Sequence, residues 1–83
     1  MDKPDIMEII ILGAGCNKCD NLYNSVLKIV KESGLNADVV HQKNIMEIIK
    51  YDIPITPAIV VNGQVKLMGY VPSESEIREI LEL

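Results

Sequence analysis

Apolar residues recur along this chain in two rhythms, and the changes between them mark out its elements. Residues 6 to 12, Ile-Met-Glu-Ile-Ile-Ile-Leu, make a nearly unbroken β-branched run. Such a run fits a strand covered on both faces, as in the middle of a parallel sheet. Gly13 and Gly15 follow and allow a tight turn with close backbone approach. From about Asn17 to Ser33 the period lengthens. Leu22, Val26, Ile29 and Val30 form one helical stripe, with Lys28, Lys31 and Glu32 on the other side. Gly34 is a natural helix stop. Ala37 to His41, with Val39-Val40, suits a second short strand. Strand, helix, strand at this spacing implies parallel pairing through a right-handed crossover. Asn44 with Glu47 offers a capping box for a short helix whose buried side is Ile45, Ile48 and Ile49. That helix must end near Tyr51, because Pro54 disfavours helix ahead of it.

The second half reads as clearly. Pro57 opens the run Ala58-Ile59-Val60-Val61, and proline is tolerated at a strand's first residue. Asn62-Gly63 predicts a type I′ turn, and Gln64 to Met68 the antiparallel return strand. Gly69 follows. Ser73 and Glu76 form a second capping box, and Ile77, Ile80 and Leu81 the inner face of a final helix to Leu83. The order βαβαββα predicts an α/β fold, a four-stranded mixed sheet flanked by three helices. With no repeat, linker or low-complexity segment, residues 1–83 are expected to form a single domain.

Composition narrows this picture. The chain has no Trp or Phe, so a core drawn from its 48% hydrophobic residues must be largely aliphatic. A net charge of −4, with the Lys and Arg residues spread along the chain, argues against a nucleic-acid or anionic-membrane surface. The apolar run Ile9 to Leu12 is too short for a signal core or a membrane span. Leu12-Gly13-Ala14-Gly15-Cys16 has the outline of a bacterial lipoprotein cleavage site but lacks the long apolar segment such processing needs. The expectation is a cytoplasmic protein with reducible thiols.

The chemistry is concentrated in two cysteines, Cys16 and Cys19, at the junction of the first strand and the long helix. Two cysteines make no disulfide framework, and so short a ring would be a weak staple. At a helix start, however, unpaired amide N–H groups and aligned peptide dipoles favour negative charge. A thiolate there is stabilised, so Cys16 is expected to ionise below the ~8.5 of a free cysteine. Two intervening residues let Cys19 come round one helical turn to meet it. The pair reads as a dithiol that closes to a disulfide and reopens, with Cys16 as the nucleophile and Cys19 as the resolving thiol. Lys18 reads as a solvated lysine that would favour ionisation if it lies near the thiolate. His41, at a strand end, reads as a plain surface residue. Tyr23, Tyr51 and Tyr70 read as core or rim aromatics, with Tyr70 a candidate border of the site.

Cys16-x-x-Cys19 after strand one, Thr56-Pro57 before strand three and Gly69 after the hairpin together resemble the thioredoxin superfamily. The likeness spans roughly Met7 to Leu81 and is closest to small archaeal and bacterial redox-active disulfide proteins of glutaredoxin size. It implies a cis peptide at Thr56-Pro57, Pro57 against the sulfur pair, a Thr56 backbone open to an extended substrate, and Gly69 leaving room for that substrate. It also implies reduction of protein disulfides without a cofactor or metal. The expected partners are disulfide-containing proteins and an electron-donating reductase, and since nothing in the sequence indicates an oligomer, a monomer is expected. Three departures stand out. Gly15 and Asn17-Lys18 replace the Trp and Gly-Pro of thioredoxins. Ile10 occupies the position of their buried acid, six residues ahead of the first cysteine, which leaves the group that activates Cys19 unassigned. Asn17-Lys18 and Gly69-Tyr70-Val71-Pro72-Ser73 do not match the glutathione-binding residues of glutaredoxins.

Two other function classes use the same residues. Gly13-Ala14-Gly15-Cys16-Asn17-Lys18-Cys19 also looks like the CxxC loop of heavy-metal-associated domains, whose soft thiolates suit Cu(I) or Zn. That family has Met where Ala14 stands and folds as βαββαβ. The other alternative is a module of thioredoxin fold that binds partners without catalysis.

Overall fold

A computed structural model describes residues 6–14 and 17–83 of the chain. The elements run β1 (Met7–Leu12), α1 (Asn17–Ser33), β2 (Ala37–Gln42), α2 (Ile45–Ile49), β3 (Ala58–Val61), β4 (Gln64–Met68) and α3 (Glu74–Ile80). The four strands form one sheet in the order β2-β1-β3-β4. β1 pairs parallel with β2, Ile9 opposite Val39 and Leu12 opposite Gln42. β3 runs antiparallel to both β1 and β4. The mixed α/β order is the one the apolar pattern predicts.

Side-chain alternation divides the core into two unequal parts. Ile9 and Ile11 of β1 and Ile59 of β3 point to one face, where Leu22, Val26 and Ile29 of α1, Ile77 of α3 and Leu81 just after it cover them. The stripe expected on α1 is the buried one, and Cys19 heads it. Leu12, Ala58 and Val60 point to the other face and meet Ile48 of α2. Fully burying an Ile or Leu contributes roughly 1.5–3 kcal/mol, so the α1/α3 side supplies most of the hydrophobic stabilisation.

Local signals explain the connections. Asn62 and Gly63 have φ of 49° and 85°, the two positive values a type I′ turn needs. Asn62 also accepts from Glu8 N–H through Oδ1 at 2.9 Å and donates its own N–H to the Glu8 carbonyl at 2.8 Å, so the turn is tied to β1. Val60 pairs with Val65 but Ile59 with Leu67, so Lys66 is the extra residue of a bulge in β4.

Four expectations need correction. Ile48 alone of the α2 triplet is buried, whereas Ile45 and Ile49 are each 61% exposed. At about 100° per residue, those two project roughly 60° and 100° away from Ile48. Among the described elements, no second helix stands beside α2 on that face to cover them. The Asn44 box is half made. Asn44 Oδ1 accepts from Met46 N–H, but Asn44 N–H donates to Gln42 Oε1 and the Glu47 carboxylate takes Lys50 instead. At Ser73 the hydroxyl accepts from Glu76 N–H, while the Glu76 carboxylate accepts from the Tyr70 hydroxyl rather than closing a box. Finally, α3 stops at Ile80 instead of running to Leu83, because Glu82 turns to φ 62°.

Candidate active site

Parallel pairing of β1 and β2 brings the C-terminal ends of both strands to one edge of the sheet, beside the start of α1. In open α/β sheets this carboxyl edge is the usual place for a functional crevice. Cys16, the expected nucleophile, and Gly15 lie outside the described residues. Cys19 is fully buried in the first turn of α1 and is disulfide-bonded. Its burial follows from helical period, since residue 19 precedes Leu22 and Val26 on one stripe.

Gly13 is the point where the site converges. A Cβ on Gly13 would lie 2.2 Å from Cys19 Sγ, 2.9 Å from Cys19 Cβ and 3.8 Å from Thr56 Cβ. No other residue type allows the sheet backbone to approach the sulfur this closely. Gly13 N–H donates to the Gln42 carbonyl at 3.1 Å, extending the β1–β2 ladder past the strand ends. The Thr56–Pro57 peptide bond is cis, as the resemblance implies, with Thr56 exposed and Pro57 buried. Gly69 N–H donates to the Pro57 carbonyl at 2.8 Å, and Ile55 lies 3.4 Å from where a Gly69 Cβ would stand. The structure thus joins Cys19, Thr56, Pro57 and Gly69 in one neighbourhood. Lys18 is exposed on the first turn of α1.

His41 is not the plain surface residue expected. Its side chain is 9% exposed, and Nε2 lies 3.1 Å from the Gly13 carbonyl oxygen. Its ring stacks on Tyr23 with centroids 5.2 Å apart, and Nδ1 is 3.8 Å from Asp20 Oδ1. The signal for this lies in the strand register. His41 pairs with Ile11, whose side chain lies on the α1 face, at the sheet end where the cysteine loop begins. An open cleft beside it is lined by Asp20, Tyr23, Asn24, Val40 and Lys43.

Tyr70, exposed at the rim, donates to Glu76, and this hydrogen bond to the neighbouring carboxylate raises its pKa above the ordinary value of 10.0. Among the described residues, no three His, Cys, Asp or Glu side chains gather where they could hold a metal ion. None of the described helices is long and apolar enough to cross a membrane.

Residues 7–82 match the family model described as a thioredoxin domain. The chain belongs to the thioredoxin family. A thioredoxin of Methanothermobacter thermautotrophicus is 36% identical over 76 residues, covering 92% of this chain and 99% of the relative. A thioredoxin of Methanocaldococcus jannaschii is 35% identical over 78 residues, covering 93% of this chain and 90% of the relative. In fold, the chain is similar to the crystal structure of Deadhead, a germline-specific thioredoxin of Drosophila melanogaster. The TM-score is 0.68 at 14% identity, over 94% of this chain and 80% of that one. The thioredoxin family fold therefore accounts for nearly the whole length of the sequence.

Proposed function

We propose that this chain is a single-domain thiol-disulfide oxidoreductase that reduces protein disulfides in the cytoplasm, with Cys16 as nucleophile and Cys19 as resolving thiol. The observation that carries the reading is the meeting of Cys19, Thr56 and the β1 end at Gly13 in a thioredoxin-family chain. The Cys16 thiolate attacks one sulfur of a target disulfide. The target S–S bond breaks, a mixed disulfide forms, and the departing target thiolate takes a proton. Cys19, once deprotonated, attacks the Cys16 sulfur. A Cys16–Cys19 bond forms and the second target sulfur leaves as a thiolate and is protonated. Two electrons pass from the protein to the target, and an electron-donating reductase returns two electrons and two protons. The target is held by the Thr56 backbone beside Pro57, with Gly69 leaving space for it.

The α1 dipole supports ionisation at its N-terminal end, since a helix from Asn17 to Ser33 is long enough to develop a full macrodipole. A soft-metal role for the same cysteines fits less well. The observed order ends in α3 after the β3–β4 hairpin, not in the βαββαβ order of heavy-metal-associated domains.

The test is a Cys19→Ser variant exposed to disulfide-bearing clients. It is expected to accumulate mixed disulfides through Cys16, while wild type releases reduced client. Absence of both trapped adducts and wild-type disulfide reduction would overturn the assignment.

A further inference from the structure

Gly13 is held from behind as well as in front. Its carbonyl oxygen can only accept, so the 3.1 Å contact requires that His41 Nε2 carry the proton and donate. In the neutral ring this leaves Nδ1 unprotonated, and Nδ1 faces Asp20 Oδ1 across 3.8 Å, too far for a direct hydrogen bond. The same ring stacks on Tyr23, one helical turn beyond Cys19. His41 therefore touches Gly13, the residue that follows β1, and Tyr23 in the second turn of α1. One side chain from β2 thus joins Gly13, at the end of β1, to Tyr23 of α1.

We propose that His41 is a positioning residue for the redox site. It ties the Gly13 carbonyl to Tyr23 of α1, and so holds the sheet end that packs on the Cys19 sulfur in place whether the disulfide is closed or open. This rests on the exchange reading given above. When the Cys16–Cys19 bond is broken, the covalent tie between those residues is lost, but the Nε2–H hydrogen bond and the Tyr23 stack are not. The resolving step, attack of Cys19 on the Cys16 sulfur of the mixed disulfide, depends on that retained geometry, because reaction rates fall steeply when reacting atoms are misplaced. His41 touches neither the client nor the sulfurs in this role. It acts through Gly13.

Two variants separate the donor from the ring. His41→Phe keeps a ring against Tyr23 and removes the donor. His41→Gln keeps an N–H at the ε position and removes the ring. The measurement is single-turnover resolution of a preformed mixed disulfide on Cys16, with far-UV circular dichroism as the folding control. His41→Phe is expected to slow resolution roughly three- to tenfold, the worth of one neutral hydrogen bond, and His41→Gln to recover most of it. A wild-type rate in His41→Phe, or a His41→Gln rate as low as that of His41→Phe, overturns the proposal. Nitrogen-15 NMR of wild-type His41 supplies an arm that needs neither a variant nor activity. The neutral ring is expected in the Nε2–H tautomer in both the oxidised and the reduced protein, and the Nδ1–H tautomer in either state overturns the proposal. A wild type unable to reduce disulfides would instead sink the proposed function, with the tautomer still deciding His41.

Discussion

At the scale of single residues, the absence of one side chain at Gly13 sets how closely the sheet approaches the cysteine. The sequence marks Gly13 as a turn residue, but its role in the fold is contact. A Cβ there would fall 2.2 Å from Cys19 Sγ, an overlap that a sulfur buried in the helix stripe has little room to relieve. Gly13→Ala is expected to destabilise the protein by about 1–3 kcal/mol, the usual cost of overpacking, seen as a lower urea midpoint at unchanged m-value. An unchanged midpoint would mean that the loop yields without cost. Cys19 itself was legible from its spacing to Leu22 and Val26. His41 was legible only through strand register, which a run of β-branched residues does not reveal when read by itself.

At the scale of elements, α1 and α2 show how far periodicity can be trusted. In α1, residues 17 to 33 turn several times, and the stripe predicted from spacing is the stripe buried. In α2 the same rule names three isoleucines and the fold buries one. A five-residue helix makes about 1.4 turns, so its axis direction and its neighbours, not its period, decide which side chains are covered. The consequence is measurable. Ile48→Ala is expected to cost about 2 kcal/mol or more, as for core truncations. Ile45→Ala and Ile49→Ala should each stay within about 0.5 kcal/mol of wild type, as for surface changes. Equal losses at the three positions in urea unfolding would contradict the exposure of the outer pair.

At the scale of the whole molecule, the fold is thin, about 16 Å along its short axis against 31 and 30 Å for the others. One sheet face is roofed by two helices and the other by α2. α3 comes last in the chain, yet Ile77 and Leu81 fill the same cluster as Ile9, Ile11 and Ile29. A chain ended after Pro72 would leave those side chains facing water. For a domain this small the loss of several buried Ile and Leu is comparable to its whole stability. Such a truncation is expected to lose cooperative thermal unfolding by circular dichroism, and a truncation that still melts cooperatively would show that α3 is dispensable.

Element order, the parallel β1–β2 pair, the antiparallel β3–β4 hairpin with its Asn62-Gly63 turn and the inner face of α1 were determined by the sequence alone, because each depends on interactions between neighbouring elements or on a period repeated over several turns, whereas the antiparallel β1–β3 pairing was not. The convergence of Gly13, Cys19, Thr56 and His41 was decided by tertiary structure. Those residues come from four segments, and their meeting depends on which strands pair, in what register, and on which side chain faces which layer. Local propensity says nothing about such distances, since contacts between remote segments form only when the sheet and α1 pack together.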